Sequence, residues 1–204
     1  MNVLRSLQKR PTTAVLLSLA TALAVILAAV LLWRTGGAVP SQAEVERLCV
    51  VDAGVSLRQW THIVIHHSGT AQNDAATIDA YHRHKRGWLN GLGYDFVIGN
   101  GTLSGDGEIE VSARWKRQQQ GAHCPQSGMN RHGIGICFVG NFEHTPGPSK
   151  NQLRAGELLV GHLAARFSVP PDNVLGHGQV PGARTKCPGR FFPMVRMRQA
   201  ARPR

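Results

Sequence analysis

The residues of this sequence that are best suited to chemistry are two histidines and one cysteine, which lie far apart in the chain. His66 ends an apolar run in THIVIHHS (61–68), whereas His177 and Cys187 share a segment rich in glycine and proline, GHGQVPGARTKCPGRFF (176–192). Imidazole and thiolate are common zinc ligands, and three such ligands leave a fourth tetrahedral position for water, which is typical of a catalytic site. Spacing alone leaves open that His66 is a core histidine and Cys187 a small buried hydrophobe.

Alternating strands and helices are expected to position these residues. β-Branched apolar runs bounded by turn residues predict strands, and capped amphipathic patterns predict helices. The predicted strands span 61–68, 94–101, 107–115, 132–142 and 172–178, and the predicted helices span 73–88 and 148–167. Glycine-rich residues separate the second and third strands, which are therefore predicted to form a hairpin. The mixture is that of an α/β or α+β domain.

The N-terminal segment has a different character from the rest of the chain. Three basic residues within positions 1–13 precede an uncharged run from Ala14 to Trp33. At about 1.5 Å per residue, this run has the length of the bilayer core, about 30 Å. We therefore expect a transmembrane anchor at 14–33, a cytoplasmic N-terminus and a periplasmic or extracytoplasmic domain. Small residues at Ser41 and Ala43 leave a cleaved signal peptide, and hence secretion, as the alternative.

The overall charge and the cysteine content restrict the possible partners. The formal net charge is +11, which suits an acidic lipid or an anionic wall polymer, although an arginine-rich coding bias would also produce it. Basic residues are not interleaved with aromatic ones, so a nucleic-acid partner is not expected. Four cysteines follow the apolar run, at positions 49, 124, 137 and 187. If one of them binds a metal, three remain, and at least one of these stays free.

Six segments occur in an order that resembles the type 2 N-acetylmuramoyl-L-alanine amidases, a superfamily that includes peptidoglycan recognition proteins and phage amidase lysozymes. The segments are WTHIVIHHSGT, GLGYDFVIGNG, GAHC, GIGICFVGNFE, PSKNQLRAGELLVGHLAARF and VLGHGQVPGARTKCPGRFF. The resemblance implies an amidase domain at 57–194, between a linker at 34–56 and a basic tail at 195–204. It also implies a central mixed β-sheet flanked by helices, with a zinc-bearing groove on one face.

The resemblance also implies roles for individual residues. The ligands of one zinc ion per chain are implied to be His66, His177 and Cys187. Tyr94 of GYDF matches a tyrosine that assists amide hydrolysis. Thr185 falls where the family places a lysine or a threonine facing the metal, and the only nearby lysine, Lys186, lies one position later.

Two further histidines are assigned by weaker arguments. His123 of GAHC is a candidate for lining the groove and binding substrate, the alternative being an ordinary loop histidine. His67 is expected to point away from His66, because successive side chains of a strand alternate between the two faces. We therefore interpret His67 as a supporting residue rather than a ligand.

The implied reaction is hydrolysis of the amide between N-acetylmuramic acid and the L-Ala of the stem peptide, in peptidoglycan or a muropeptide. Zinc lowers the pKa of its bound water to about 7, and Tyr94 would donate a hydrogen bond to the oxyanion, a contact worth about 3 kcal/mol. Two other functions stay open. One is a module that binds muropeptide without cutting it, and the other is a metal-free cysteine hydrolase with Cys187 as nucleophile and His177 as base.

Overall fold

One five-stranded sheet lies at the centre of the computed structural model, which describes residues 39–203 and the single residue Val25. The strands are His62–His67 (β1), Phe96–Ile98 (β2), Ile109–Val111 (β3), Gly133–Phe138 (β4) and Val174–Gly176 (β5). The helices are Gln42–Leu48 (α1), Ala75–Arg86 (α2), Ala113–Lys116 (α3), Met129–His132 (α4), Lys150–Phe167 (α5) and Met194–Ala200 (α6). The strand order is β3-β2-β4-β1-β5. Only β3 runs antiparallel to its neighbour, so the predicted mixed sheet is confirmed.

Helices cover both faces of the sheet, which explains why most residues of its central strands β1 and β4 are buried. On one face, Ile63, Ile65 and Ile136 belong to the main core with residues of α1, α5 and α6. On the other face, Val97 and Cys137 pack with Ile78 of α2. Because side chains alternate along a strand, β1 presents Val64 and His66 on the α2 face.

The predicted helix at 148–167 is confirmed as α5, and its start shows the expected capping box. Ser149 Oγ accepts the Gln152 N–H at 3.0 Å, and Gln152 Oε1 accepts the Ser149 N–H at 3.2 Å. The Gln152 side chain also donates to the carbonyl oxygens of Ile98 and Val139, at 3.2 and 2.9 Å. These bonds tie the start of α5 to the carboxyl ends of β2 and β4.

The predicted hairpin is present, but its second strand is shorter than expected. β2 pairs with β3 from Phe96↔Val111 to Ile98↔Ile109. The chain then turns into α3 rather than continuing as a strand to residue 115. Ser112 caps this helix by accepting the Trp115 N–H at 3.2 Å, and the fully buried Trp115 ring stabilises the turn through tertiary packing.

Both segments that were expected to flank the domain contribute helices to it. Residues 42–48, predicted as part of a linker, form α1, which is capped by Ser41. Val45 of this helix and Cys49, the residue that follows it, are completely buried. The Cys49 carbonyl oxygen accepts hydrogen bonds from Trp115 Nε1 at 3.1 Å and from Arg166 at 2.9 Å.

Much of the predicted basic tail is also structured. Residues 194–200 form α6, and its Met197 is fully buried in the main core. The apolar side of this helix packs against the core, and this packing stabilises the helix even though it also carries basic residues.

No helix within residues 39–203 is long and apolar enough to cross a membrane. The predicted anchor at 14–33 lies outside the residues that the structure describes, apart from Val25. The anchor therefore stays a prediction.

Candidate metal and active site

The two predicted histidine ligands are brought together by the pairing of β1 with β5. These strands are adjacent and parallel, with Ile65 opposite Gly176. His66 directly follows Ile65, and His177 directly follows Gly176. The ring centroids of the two histidines lie 4.7 Å apart. Both histidines therefore lie at the carboxyl edge of the sheet, where α/β folds commonly place their ligands.

The loop after β5 turns back so that Cys187 reaches the same place. Gly178 N–H donates to the Cys187 carbonyl oxygen at 2.7 Å. A Cβ atom at Gly178 would lie 2.4 Å from the Thr185 carbonyl oxygen, so glycine permits this close approach. As a result, the candidate ligand atoms of His66, His177 and Cys187 all lie within 4.8 Å of one another.

This donor set fits a zinc ion. Zinc–ligand distances of about 2.0–2.3 Å in a tetrahedral site put neighbouring ligand atoms about 3.3–3.8 Å apart. Cys187 Sγ lies 3.8 Å from His66 Nδ1 and accepts the His67 N–H at 3.3 Å. Burial lowers the pKa of His66 and of His177, so both rings are neutral and able to bind a cation at pH 7. Burial also raises the pKa of the Cys187 thiol to about 12, so metal binding there must displace a proton.

Tyr94 lies beside the ligand cluster, just before β2. Its ring centroid is 5.1 Å from that of His66. Burial raises the pKa of Tyr94 well above its usual value of 10, so the hydroxyl keeps its proton and can act as a hydrogen-bond donor. Its ring also packs against the buried cluster that contains Cys137.

His123 lies behind His66 rather than in an open groove. It is only 7% exposed, and its Nδ1 lies 3.0 Å from His66 Nε2. Its Nε2 lies 3.1 Å from the Gly133 carbonyl oxygen. Burial lowers the pKa of His123 to about 4. These contacts connect His123 to a candidate ligand, so its predicted role in binding substrate stays a prediction.

The sequence and fold of this site can be compared with known proteins. The family described as N-acetylmuramoyl-L-alanine amidase matches residues 56–190. The chain belongs to this amidase family. Its predicted resemblance to the type 2 amidases and peptidoglycan recognition proteins is thereby confirmed.

Individual relatives of this amidase-family chain include animal recognition proteins. The chain is 35% identical over 121 residues to peptidoglycan recognition protein 1 of Bos indicus, an alignment that covers 59% of this chain and 57% of the bovine protein. It is 33% identical over 137 residues to a peptidoglycan-recognition protein of Drosophila simulans, and that alignment covers 64% of this chain and 69% of the other. The chain thus spans little more than half the length of the bovine relative.

Solved structures of an endolysin amidase and of a recognition protein share the fold. The endolysin amidase LysCS from Clostridium intestinale aligns with a TM-score of 0.60 and 25% identity, covering 74% of this chain and 93% of the endolysin chain. A Drosophila PGRP-LB variant, solved in complex with tracheal cytotoxin, aligns with a TM-score of 0.51 and 26% identity, covering 68% and 85% of the two chains. The fold is therefore found in both an amidase and a recognition protein.

The side chains of Thr185 and Lys186, neighbours in the loop that leads to Cys187 of this amidase-family chain, make different contacts. Thr185 Oγ1 accepts the Cys187 N–H at 3.2 Å, so its hydroxyl contacts the backbone of a candidate ligand. The largely exposed Lys186 side chain places Nζ 3.2 Å from Oε1 of Glu143, a mostly covered carboxylate. This pairing agrees with the interpretation that a threonine, not a lysine, takes the position near the metal, although a contact between Thr185 and a metal stays a prediction.

Cys137 is a residue of the site that sequence reasoning did not place there. It lies on β4 directly opposite His66 on β1, so both side chains face the same side of the sheet. All four cysteines belong to the described residues and are free thiols. Cys124 packs instead with Val64 and Met129. Only the strand register could have revealed the position of Cys137, because nothing in the local sequence distinguishes it.

Asp95, the residue after Tyr94, carries a buried carboxyl group with incomplete hydrogen bonding. Its Oδ2 accepts the Gly135 N–H at 2.8 Å, whereas Oδ1 has no hydrogen-bond partner among residues 39–203. Burial raises the pKa of Asp95 from 3.8 to about 7. The folded state therefore holds this proton more tightly than the unfolded state does, and the resulting stability is lost as the pH rises from about 4 to about 7.

Asp95→Asn is expected to remove this loss of folding stability at higher pH. Near pH 4 the variant and the wild type should have similar free energies of unfolding. At pH 8 the variant should be the more stable, by up to roughly 4 kcal/mol at about 1.4 kcal/mol per pKa unit. Urea unfolding between pH 4 and pH 8 measures the difference, with exposed Asp52→Asn as the control. A difference between wild type and Asp95→Asn that does not vary with pH would contradict the assignment.

Proposed function

We propose that this protein is a zinc-dependent N-acetylmuramoyl-L-alanine amidase that acts on peptidoglycan or muropeptides. The observation that carries the proposal is the convergence of His66, His177 and Cys187 within 4.8 Å, with the Tyr94 ring beside His66. The family match and the endolysin amidase of similar fold support hydrolysis. The recognition-protein relatives, and the tracheal cytotoxin bound by one of them, support a peptidoglycan-derived substrate.

In the proposed site, a metal cation and the side chains around it have separate roles in hydrolysis. A zinc ion held by His66, His177 and Cys187 would act as a Lewis acid and make water nucleophilic near neutral pH. The Tyr94 hydroxyl keeps its proton and donates a hydrogen bond to the oxygen of the scissile amide as negative charge develops there.

The rival functions differ in how they use Cys187. A recognition module that has lost catalysis would be marked by loss of the cysteine ligand, and this chain retains it. A thiol nucleophile needs a lowered pKa, whereas burial raises the pKa of Cys187. Cys187 also lies on the side of His66 that carries Nδ1, as a shared metal site would require. The zinc amidase therefore agrees best with the site.

Digestion of a purified muropeptide by the full-length protein tests the proposal. We expect mass spectrometry to show a released stem peptide with a free L-Ala amino group, together with the complementary glycan. A chelator should abolish the release, and added zinc should restore it. Activity that survives chelation would favour the cysteine hydrolase, and binding of the muropeptide without any release would favour the recognition module.

We also propose that residues 14–33 anchor this amidase in the membrane with its domain on the extracytoplasmic side. The support is the length of the uncharged run and the basic residues before it. Recovery of the full-length protein in the membrane fraction would agree with the anchor. A soluble product that starts near Glu44 would instead indicate cleavage.

A further inference from the structure

A line of two hydrogen bonds leads from the backbone of β4 to the candidate metal ligand His66. The Gly133 carbonyl oxygen lies 3.1 Å from His123 Nε2, and His123 Nδ1 lies 3.0 Å from His66 Nε2. His66 and His123 are almost completely buried. Water therefore has little access to either hydrogen bond.

The direction of each bond follows from the first acceptor. A carbonyl oxygen can only accept, so His123 Nε2 must carry the proton. In a neutral imidazole the other nitrogen then has a lone pair, which means that His123 Nδ1 accepts and His66 Nε2 donates. The remaining nitrogen of His66, Nδ1, is left with a lone pair. It is also the nitrogen that lies 3.8 Å from Cys187 Sγ.

We propose that His123 is a positioning residue, which holds His66 in the tautomer and orientation that present Nδ1 to the metal. This inference rests on the proposed zinc site. A histidine ligand usually donates its second N–H to a carboxylate, a backbone carbonyl or water. Here the acceptor is a second imidazole, that of His123, which is itself held by a hydrogen bond to the backbone of β4.

The surroundings of His123 leave its ring little freedom to turn. A Cβ atom at Gly121 or at Gly135 would lie 2.5 Å from Cδ2 of this ring. Neither glycine has a positive φ, so backbone conformation does not demand glycine at these positions. Their missing side chains instead provide the space in which the His123 ring lies against the sheet. The two glycines and the Gly133 carbonyl oxygen thus fix the ring that orients His66.

Replacing His123 by leucine or by asparagine distinguishes its proposed role in orienting His66 from a role in packing alone. The two side chains are similar in size, but only asparagine offers an oxygen near the place of His123 Nδ1. Zinc affinity is measured on the full-length protein by competition with a chelator at fixed pH, and thermal unfolding is measured on the metal-free protein. We expect His123→Leu to raise the zinc dissociation constant by about 10–100-fold and His123→Asn to keep it close to the wild-type value.

A packing role predicts a different order of effects. Burying an amide without full hydrogen bonding costs more than burying an alkyl group, so the asparagine variant would then be the poorer one in both stability and zinc binding. Wild-type affinity in His123→Leu, or equal losses in the two variants, would overturn the inference while leaving the zinc site intact. A wild-type protein that binds no zinc would overturn the proposed function as well.

A measurement without substitution gives an independent answer if either variant fails to fold. Nitrogen-15 NMR of the metal-free wild-type protein reports which ring nitrogen carries the proton. We expect the proton on Nε2 in both His66 and His123. A proton on Nδ1 of His66 would overturn the inference.

Discussion

Replacement of Cys187 by serine is expected to abolish zinc binding and amidase activity together. The thiol is the only sulfur among the three candidate ligands, and it provides the negative charge that the two neutral imidazoles lack. A neutral hydroxyl is a far weaker zinc ligand than a thiolate. The loss should therefore exceed the roughly 10–100-fold effect of changing residues that only orient ligands.

Zinc content and peptide release are measured together on the Cys187→Ser protein. The matched control is Cys124→Ser, because Cys124 is also buried and its thiol lies 3.5 Å from Gln126 Oε1, a contact that a hydroxyl can keep. Added zinc should restore little activity to Cys187→Ser. Full zinc content in that variant would exclude Cys187 as a ligand, and activity without zinc would exclude the metal from the reaction.

Tyr94→Phe is expected to lower kcat by on the order of 10²-fold and to leave the zinc content unchanged. The magnitude is that found when a hydrogen-bond donor to the oxyanion is removed from other enzymes. The phenyl ring can keep its packing beside His66 and His82, whose centroids lie 5.1 and 5.9 Å away. The hydroxyl is proposed to act on the oxyanion in the transition state, so KM should change much less than kcat.

Tyr81, the other tyrosine of the sequence, provides the control for this experiment. It lies on α2 and is 51% exposed, so Tyr81→Phe should leave kcat unchanged. Steady-state kinetics on a defined muropeptide and zinc analysis are carried out on both variants. Wild-type kcat in Tyr94→Phe would show that the role assigned to Tyr94 is wrong, and loss of zinc would indicate a structural role.

The elements with a strong local pattern could be predicted from the sequence. β1 has a β-branched centre, β4 is a short run without charged residues that is buried throughout, and α5 combines a capping box with an apolar stripe. α1 was missed because it has only two turns and only two large apolar side chains, Val45 and Leu48. Its stability comes from the core against which it packs, and such tertiary packing leaves little trace in a short local pattern.

The candidate ligands could be identified from the sequence, but not the groups that orient them. His66, His177 and Cys187 were implied by the family resemblance, and the structure brings them together. The position of Cys137 opposite His66 depends on the register of β1 against β4. The contact of His123 with His66 depends on the space left by two glycines, Gly121 nearby in the sequence and Gly135 on β4. Register and space are properties of the assembled sheet, and a single sequence does not encode them in any local motif.

The burial of α1 means that the unit which folds is larger than the segment that matches the family. The family match begins at residue 56, whereas the ordered domain already includes Ser41 as the cap of α1. A chain cut at the family boundary would lose the carbonyl oxygens of Leu48, Cys49 and Val50, which accept hydrogen bonds from Lys116, Trp115 and Arg166. It would also open the main core where Val45 lies. A portable form of this domain, for fusion to another protein or for display on a surface, should therefore start before Ser41.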